Sequence, residues 1–497
     1  MKYLFVFVLS ILIFTLSFAQ NGSSNLSTTD TVFVSESGKK IKAIMGRMQV
    51  KENRKNPNSE LISISFIQLK SSTPTSENPL VYLEGGPGSS STWQATYPEY
   101  LESWVELLEY SDVILLDQRG TGQGARRVTH IVSEDVPSKI FVDEKLRQDY
   151  FNNVEENALN AFKERGVDLK GYTTLQNAAD IEALRIALSY QKISLMGFSY
   201  GTHLAQTYMK YYGENVEKAI LIGTEGLNHT KKTPLSMDMQ FKKIALMAAQ
   251  KKEVSEKVPN LLELHKIVIE KLNSNPVEMK IISPLTRKPM KIELNGYALN
   301  MILRFDIGDA SDIPIFPKLL YDASQDNYDI LKWFVQKRIG MFYGINGMSM
   351  MTDKASGATA YRNEKIKHEL EESMFANIFK ETESKNDKEL NIDLGDEFRS
   401  PFASDIPVLF LSGTLDFNTP PYQAEEVRWG FPNSEHIIIK NAGHEQIRRH
   451  PKANAAMVSF LKDEKIEDVD LSYPMLEFVP LDDKSKTNIY HPAIAQE

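Results

Sequence analysis

The chain has 497 residues, 42% of them hydrophobic, and a formal net charge of −9. That length and apolar share can bury a large core, and the acidic balance excludes nucleic acid as a partner, because no basic excess exists to displace phosphate counterions. Cysteine is absent, which excludes disulfides, thiolate metal sites and a lipid-modified cysteine.

The first residues, MKYLFVFVLSILIFTLSFAQ, place one lysine ahead of an apolar run, with Ser17 and Ala19 at the −3 and −1 positions of a cut after Ala19. This is the pattern of a signal peptide over 1–19. The run is short for a permanent span, which takes about 20 apolar residues. The expectation is an exported protein, periplasmic or secreted, that leaves the membrane once the leader is cut. A Ser-, Thr- and Asn-rich stretch then reads as a flexible lead over 20–44.

Strand signals follow. Residues 61–69 alternate apolar and polar side chains, as a half-buried strand does. Unalternating apolar runs then recur at 79–83, 113–116, 193–196, 219–222, 408–411 and 436–439. Such runs suit strands of a parallel sheet covered on both faces. Residues 175–188 carry apolar side chains at helical spacing, with Thr173 or Thr174 as a cap. Strands alternating with helices predict an α/β fold with a mostly parallel, doubly wound sheet.

The sheet pattern stops after 222 and resumes at 408. The interval is charged, Met-rich and helical in period at 237–250, 261–272 and 328–338. It predicts a helical cap over 229–400, inserted between core segments 45–228 and 401–463. The segment 381–397 is polar and expected to be mobile. A C-terminal tail, 464–497, completes the chain.

The chemistry centres on Gly197-Phe198-Ser199-Tyr200-Gly201, which lies between a predicted strand and a predicted helix at 202–212. In that context a G-x-S-x-G pattern describes a nucleophile elbow: the turn is so sharp that the neighbours of the serine must lack bulk. A serine hydroxyl needs a base to take its proton, and this fold orders the triad Ser, Asp or Glu, His. Asp416 ends the strand run at 408–411, and His444 follows the next one in Lys440-Asn-Ala-Gly-His444. His444 is therefore the expected base, and Asp416 its orienting acid. Of the nine histidines, His436 starts a strand, His450 sits in an Arg-Arg-His-Pro turn and His203 is inside a helix. Asp405 precedes its strand and belongs at the opposite sheet edge.

Glu84-Gly85-Gly86-Pro87-Gly88 follows the run 79–83. Its backbone N–H groups could approach a substrate oxygen. With the amide of Tyr200, Gly86 is the first choice for the second oxyanion-hole donor and Gly85 the reserve. Gly120-Thr-Gly122-Gln-Gly124-Ala125 loosely imitates a dinucleotide fingerprint, but no helical period follows it. No cofactor is expected, and no helix carries paired histidines at metal spacing.

Taken in order, Gly-Gly-Pro-Gly at 85–88, Asp-Gln-Arg-Gly-Thr-Gly at 117–122, Gly-Phe-Ser-Tyr-Gly-Thr at 197–202 and Asn-Ala-Gly-His at 441–444 resemble the α/β-hydrolase serine aminopeptidases, the prolyl and tripeptidyl aminopeptidase family. The resemblance covers about 45–230 and 400–463. It implies release of short N-terminal pieces from peptides through an acyl-enzyme, with a cap that admits a free N-terminus. Glu84 stands where prolyl aminopeptidases usually have His, which favours the exported tripeptidyl-type branch. The family's acidic residues for the substrate amine lie in the variable cap and cannot be aligned. Glu225 and Glu84 are the carboxylates placed near the nucleophile to meet that amine. Asp117 and Arg119 read as an internal ion pair that fixes a loop. An esterase using the same triad is the first alternative, and an inert hydrolase-fold binding protein the second. Oligomeric state is not legible.

The leader makes one outcome explicit. N-terminal sequencing of the mature protein is expected to begin at Gln20, and retention of Met1 would refute cleavage.

Overall fold

A computed structural model describes residues 25–380, 390–466 and 470–482; the expected leader lies outside them. Thirteen strands occur among the described residues. In chain order they are β1 (Leu26–Val34), β2 (Lys40–Lys51), β3 (Leu61–Leu69), β4 (Leu80–Leu83), β5 (Val113–Leu116), β6 (Thr129–Ile131), β7 (Ile193–Phe198), β8 (Val216–Ile222), β9 (Val277–Ile282), β10 (Pro289–Leu294), β11 (Gly344–Asn346), β12 (Val408–Gly413) and β13 (Ser434–Ile439). Nine of them form one sheet in the order β1-β2-β3-β5-β4-β7-β8-β12-β13. The pairs from β5 to β13 are parallel, and β1, β2 and β3 add an antiparallel edge.

The unalternating runs are strands buried on both faces. In β4 and β5, Val81, Leu83, Ile114 and Leu116 join the core under the helices Thr174–Ala187 and Tyr200–Tyr212. Leu80, Tyr82, Val113 and Leu115 face the other way, onto Trp104, Met457 and Phe460. The period-2 side-chain rule sorts one apolar run into two cores. Thr173 caps the helix Thr174–Ala187, its side chain accepting from the Gln176 amide.

Two expectations need correction. The lead is not irregular throughout, since Leu26–Val34 pairs antiparallel with β2 from Leu26↔Met48 to Val34↔Lys40. Its Thr, Val and Phe residues suit a strand, while its mostly exposed side chains leave no hydrophobic alternation to read. The cap is also not wholly helical. Between its helices, β9 and β10 form an antiparallel hairpin. Of the segment expected to be mobile, 381–389 lies outside the described residues and Gly395–Arg399 is a short helix. The tail is docked where it is described, with Leu471, Phe478 and Leu481 buried.

The cap has its own core, including Phe241, Phe316 and Phe334, and it takes in Leu415 and Phe417 from the loop after β12. The sheet edge and the cap thus share side chains on either side of Asp416.

Asp117 and Arg119 do not pair with each other. Asp117 Oδ1 accepts from Ser90 Oγ at 2.6 Å and from the amides of Ser91 and Thr92 at 2.8 and 3.0 Å, fixing the loop after the glycines. Arg119 makes a two-pronged bond with Asp180, at 2.8 Å in each prong, and donates to the carbonyls of Glu52 and Gly171. Arg54 also binds Asp180. Removing one partner of a buried pair strands a charge, at a typical cost of about 3–5 kcal/mol. Asp180→Ala is therefore expected to lower the unfolding free energy by about that amount in urea denaturation. A loss comparable to that of an exposed ion pair would contradict this role for Asp180.

Candidate active site

Strand β7 delivers Ser199 at the carboxyl edge of the sheet, and the helix Tyr200–Tyr212 begins immediately after it. Ser199 has φ 54° and ψ −124°, a left-handed conformation that side chains avoid unless the surroundings enforce it. The surroundings do so through close backbone approach. A Cβ on Gly197 would lie 2.5 Å from the Gly201 carbonyl oxygen, and one on Gly201 would overlap the Leu83 carbonyl. Both positions of the elbow must therefore be glycine.

His444 opens a short helix after β13, and Asp416 stands in the loop after β12. His444 Nδ1–H donates to Asp416 Oδ2 at 2.8 Å. Asp416 is 2% exposed, and its remaining acceptor capacity is met by the Thr419 amide at 3.0 Å and the Thr419 hydroxyl at 2.5 Å. Burial opposes the carboxylate's charge, but His444 and the Thr419 bonds outweigh it, so the Asp416 pKa lies below the usual carboxylate value. Burial likewise lowers the His444 pKa, and the Asp416 charge and hydrogen bond override it, leaving the imidazole above its ordinary value. The His444 backbone N–H donates to the Gly308 carbonyl of the cap at 2.8 Å.

Ser199 and His444 line one cleft of about 500 Å³, together with Gly85 and Gly86. Among the described residues no hydrogen bond joins the Ser199 hydroxyl to His444; such contacts are often long before substrate is bound. The glycine loop lies against the serine, since a Cβ on Gly85 would be 3.0 Å from Ser199 Cβ. The Gly85 amide, the reserve donor, is already bonded to Glu84 Oε1 at 2.9 Å. Among the described residues the Gly86 amide has no acceptor, and the Tyr200 amide stands at the first helical position, where no intrahelical partner exists.

Glu84 lines the cleft, but its carboxylate already has partners. It is 4% exposed and held by Gln94 at 2.5 Å and by Arg448 Nη1, which donates to both of its oxygens at 3.2 Å. The Arg448 guanidinium lies 4.1 Å above the Phe198 ring. This ion pair joins the helix of His444 to the glycine loop. Glu225 does line the cleft, but Lys232 Nζ donates to its Oε2 at 2.6 Å.

Sequence reasoning missed two other cleft residues. Asp353, on the cap helix Gly347–Ser356, opens to the water of the cleft and among the described residues has no hydrogen-bond donor. The protein atoms crowding the wall of the cleft and then the Glu225 charge raise the pKa of its carboxyl above the usual carboxylate value. Arg304, on the cap helix Gly296–Asp306, also lines the cleft. No motif marks either residue; both belong to the variable insertion. The rival histidines have structural partners: His203 is fully buried, with burial pushing its pKa down to about 4, and His436 binds Glu425 and Ser412.

Comparison with known proteins agrees with this geometry. Residues 78–254 match the family model described as alpha/beta hydrolase fold, and residues 395–472 match one described as TAP-like protein. The chain has the α/β-hydrolase fold, and its matches lie among serine hydrolases of the peptidase type. It is similar to the tripeptidyl aminopeptidase of Streptomyces lividans, 26% identical over 157 residues that cover 29% of this chain and 28% of that protein. It is also similar to serine protease Hip1 of Mycobacterium tuberculosis, 25% identical over 190 residues covering 36% of each. The chain thus aligns with about a third or less of the length of these relatives. Among solved structures, that of Rv0554 from Mycobacterium tuberculosis superposes with a TM-score of 0.38 at 17% identity, covering 84% of this chain and 100% of that one.

The raised His444 pKa depends on the Asp416 charge. In Asp416→Asn the burial penalty, the largest cause, is opposed only by the lesser Glu445 charge while Lys232 adds to it, so the imidazole should titrate below the ordinary value of about 6.5. An NMR titration of His444 reads this directly, and an unmoved midpoint would show that Asp416 does not set the charge of the base.

Proposed function

We propose that this protein is an exported serine aminopeptidase that releases short N-terminal pieces from peptides. In this reading Ser199 attacks the scissile carbonyl and His444 Nε2 takes its proton. Asp416 holds the Nδ1–H tautomer and stabilises the imidazolium. The amides of Tyr200 and Gly86 stabilise the tetrahedral oxyanion. His444 then returns the proton to the departing amine, and water repeats the cycle on the acyl-enzyme. The TAP-like match and the tripeptidyl aminopeptidase similarity support the substrate class.

The observation that carries the end preference is the unpaired Asp353 carboxylate in the same cleft as Ser199. Beside it lie Glu225 and Lys232, which are bonded to each other. That leaves the ionised Asp353 carboxylate as the charge that the ammonium of a peptide N-terminus would meet. Arg362 stands further back, bonded to the Lys231 carbonyl. A carboxyl held near 7 by burial and a neighbouring carboxylate is one whose ionised form a docking cation stabilises.

The test compares hydrolysis of short peptides with free and acetylated N-termini, alongside p-nitrophenyl esters. A fluorophosphonate should label the wild type, and Ser199→Ala should abolish the label. The free-to-blocked ratio of kcat/KM should fall on the order of tenfold or more in Asp353→Asn, the loss expected for a charge-assisted contact. As pH drops below about 7, Asp353 takes up a proton, so the wild-type preference for free N-termini should decline on the acid side. Equal cleavage of free and blocked peptides by the wild type would defeat the aminopeptidase reading, and activity confined to the esters would favour an esterase.

A further inference from the structure

The cleft-lining cations other than Arg304 are already matched. Lys232 is bonded to Glu225, and Arg448 to Glu84 and Glu445; the imidazole of His444 belongs to Asp416. Arg304 differs. Its guanidinium rests on the faces of Phe417, at 4.8 Å from the centroid, and Phe379, at 5.6 Å. Ring faces attract the charge but accept none of its five N–H groups in the plane of the fork. The carboxylate two residues along the same chain, Asp306, is taken by Arg338 and Lys337. Among the described residues no carboxylate or carbonyl pairs with Arg304. Glu225 and Asp353 line the same cleft yet do not compensate it. The side chain is half-buried, and burial alone pushes the guanidinium down to about 10.

An arginine partly withdrawn from water and left without a carboxylate is costly for a fold to keep. Two aromatic faces hold this one flat while its hydrogen-bonding edge stays unused. Phe417 adjoins Asp416, and the helix that carries Arg304 runs into Gly308, whose carbonyl binds the His444 amide. The guanidinium is therefore fixed in relation to the base rather than on a free surface.

We infer that Arg304 is a specificity-determining residue that binds a carboxylate of the substrate, so that the cleft selects peptides bearing a negative group as well as an amino terminus. The inference rests on the peptidase reading above. The bond is a planar two-pronged contact of guanidinium with carboxylate. The carboxylate could come from an Asp or Glu side chain or from the C-terminus of a short peptide, and the experiment separates the two.

Calorimetry on full-length Ser199→Ala measures binding without turnover. The probes are tetra-alanine with a free or an amidated C-terminus, and Ala-Ala-Glu-Ala amide against Ala-Ala-Gln-Ala amide. Arg304 predicts that at least one carboxylate member binds on the order of tenfold tighter or more than its neutral partner, and the pair that shows the preference names the source. Adding Arg304→Gln should bring that ratio close to one, whereas Arg304→Lys, which keeps the charge but not the fork, should retain part of it. Equal affinity within both pairs overturns the inference on the Ser199→Ala background alone, whether or not the Arg304 variants fold. A preference that survives Arg304→Gln overturns it as well. Failure of all four peptides to bind would instead sink the peptidase reading and this inference together.

Discussion

The constraint on which the site depends is the backbone-to-backbone approach of the helix Tyr200–Tyr212 to the carboxyl ends of β4 and β7. Gly201 sits against the Leu83 carbonyl and Gly197 against Gly201, so neither position leaves room for a side chain. That contact forces the chain to reverse within one residue, and Ser199 absorbs the strain at φ 54°. A gentler turn would carry the hydroxyl away from the sheet edge where the glycine loop and the His444 loop meet. The elbow exists because two sequence positions were left bare, and the three separated segments of the site are assembled around it.

The parts of the fold legible in the sequence are those where burial is two-sided. Runs such as 113–116 and 408–411 have no polar alternation to mislead, and they are strands β5 and β12. The elbow, the acid after β12 and the histidine after β13 follow from chain order and sheet polarity. Strand β1 escaped because its side chains are mostly exposed and Thr-rich, so its pairing with β2 is a backbone matter. Arg119 was assigned the wrong partner for a related reason: proximity in sequence suggested Asp117, while the fold brings Asp180 from a helix some sixty positions later. Asp353 and Arg304 could not be found at all, because what distinguishes them is the lack of an ion-pair partner among the described residues, and that is a property of three-dimensional surroundings.

The electrostatics of the cleft divide the labour between the two parts of the chain. The core supplies charges that are internally balanced: Asp416 with His444, Glu84 with Arg448. Each pair orients a backbone or a ring. The cap supplies two cleft charges that have no ion-pair partner among the described residues, Asp353 negative when ionised and Arg304 positive. A cleft built this way keeps its reactive geometry independent of what occupies it, while the insertion carries the ionic features that a polar ligand would meet.

The bond from the His444 amide to the Gly308 carbonyl ties the hinge of the imidazole to the roof of the chamber. Phe417 and Leu415 add apolar grip on the other flank of Asp416. Lifting the roof would tug on the proton acceptor itself, so a widened chamber is an idling one.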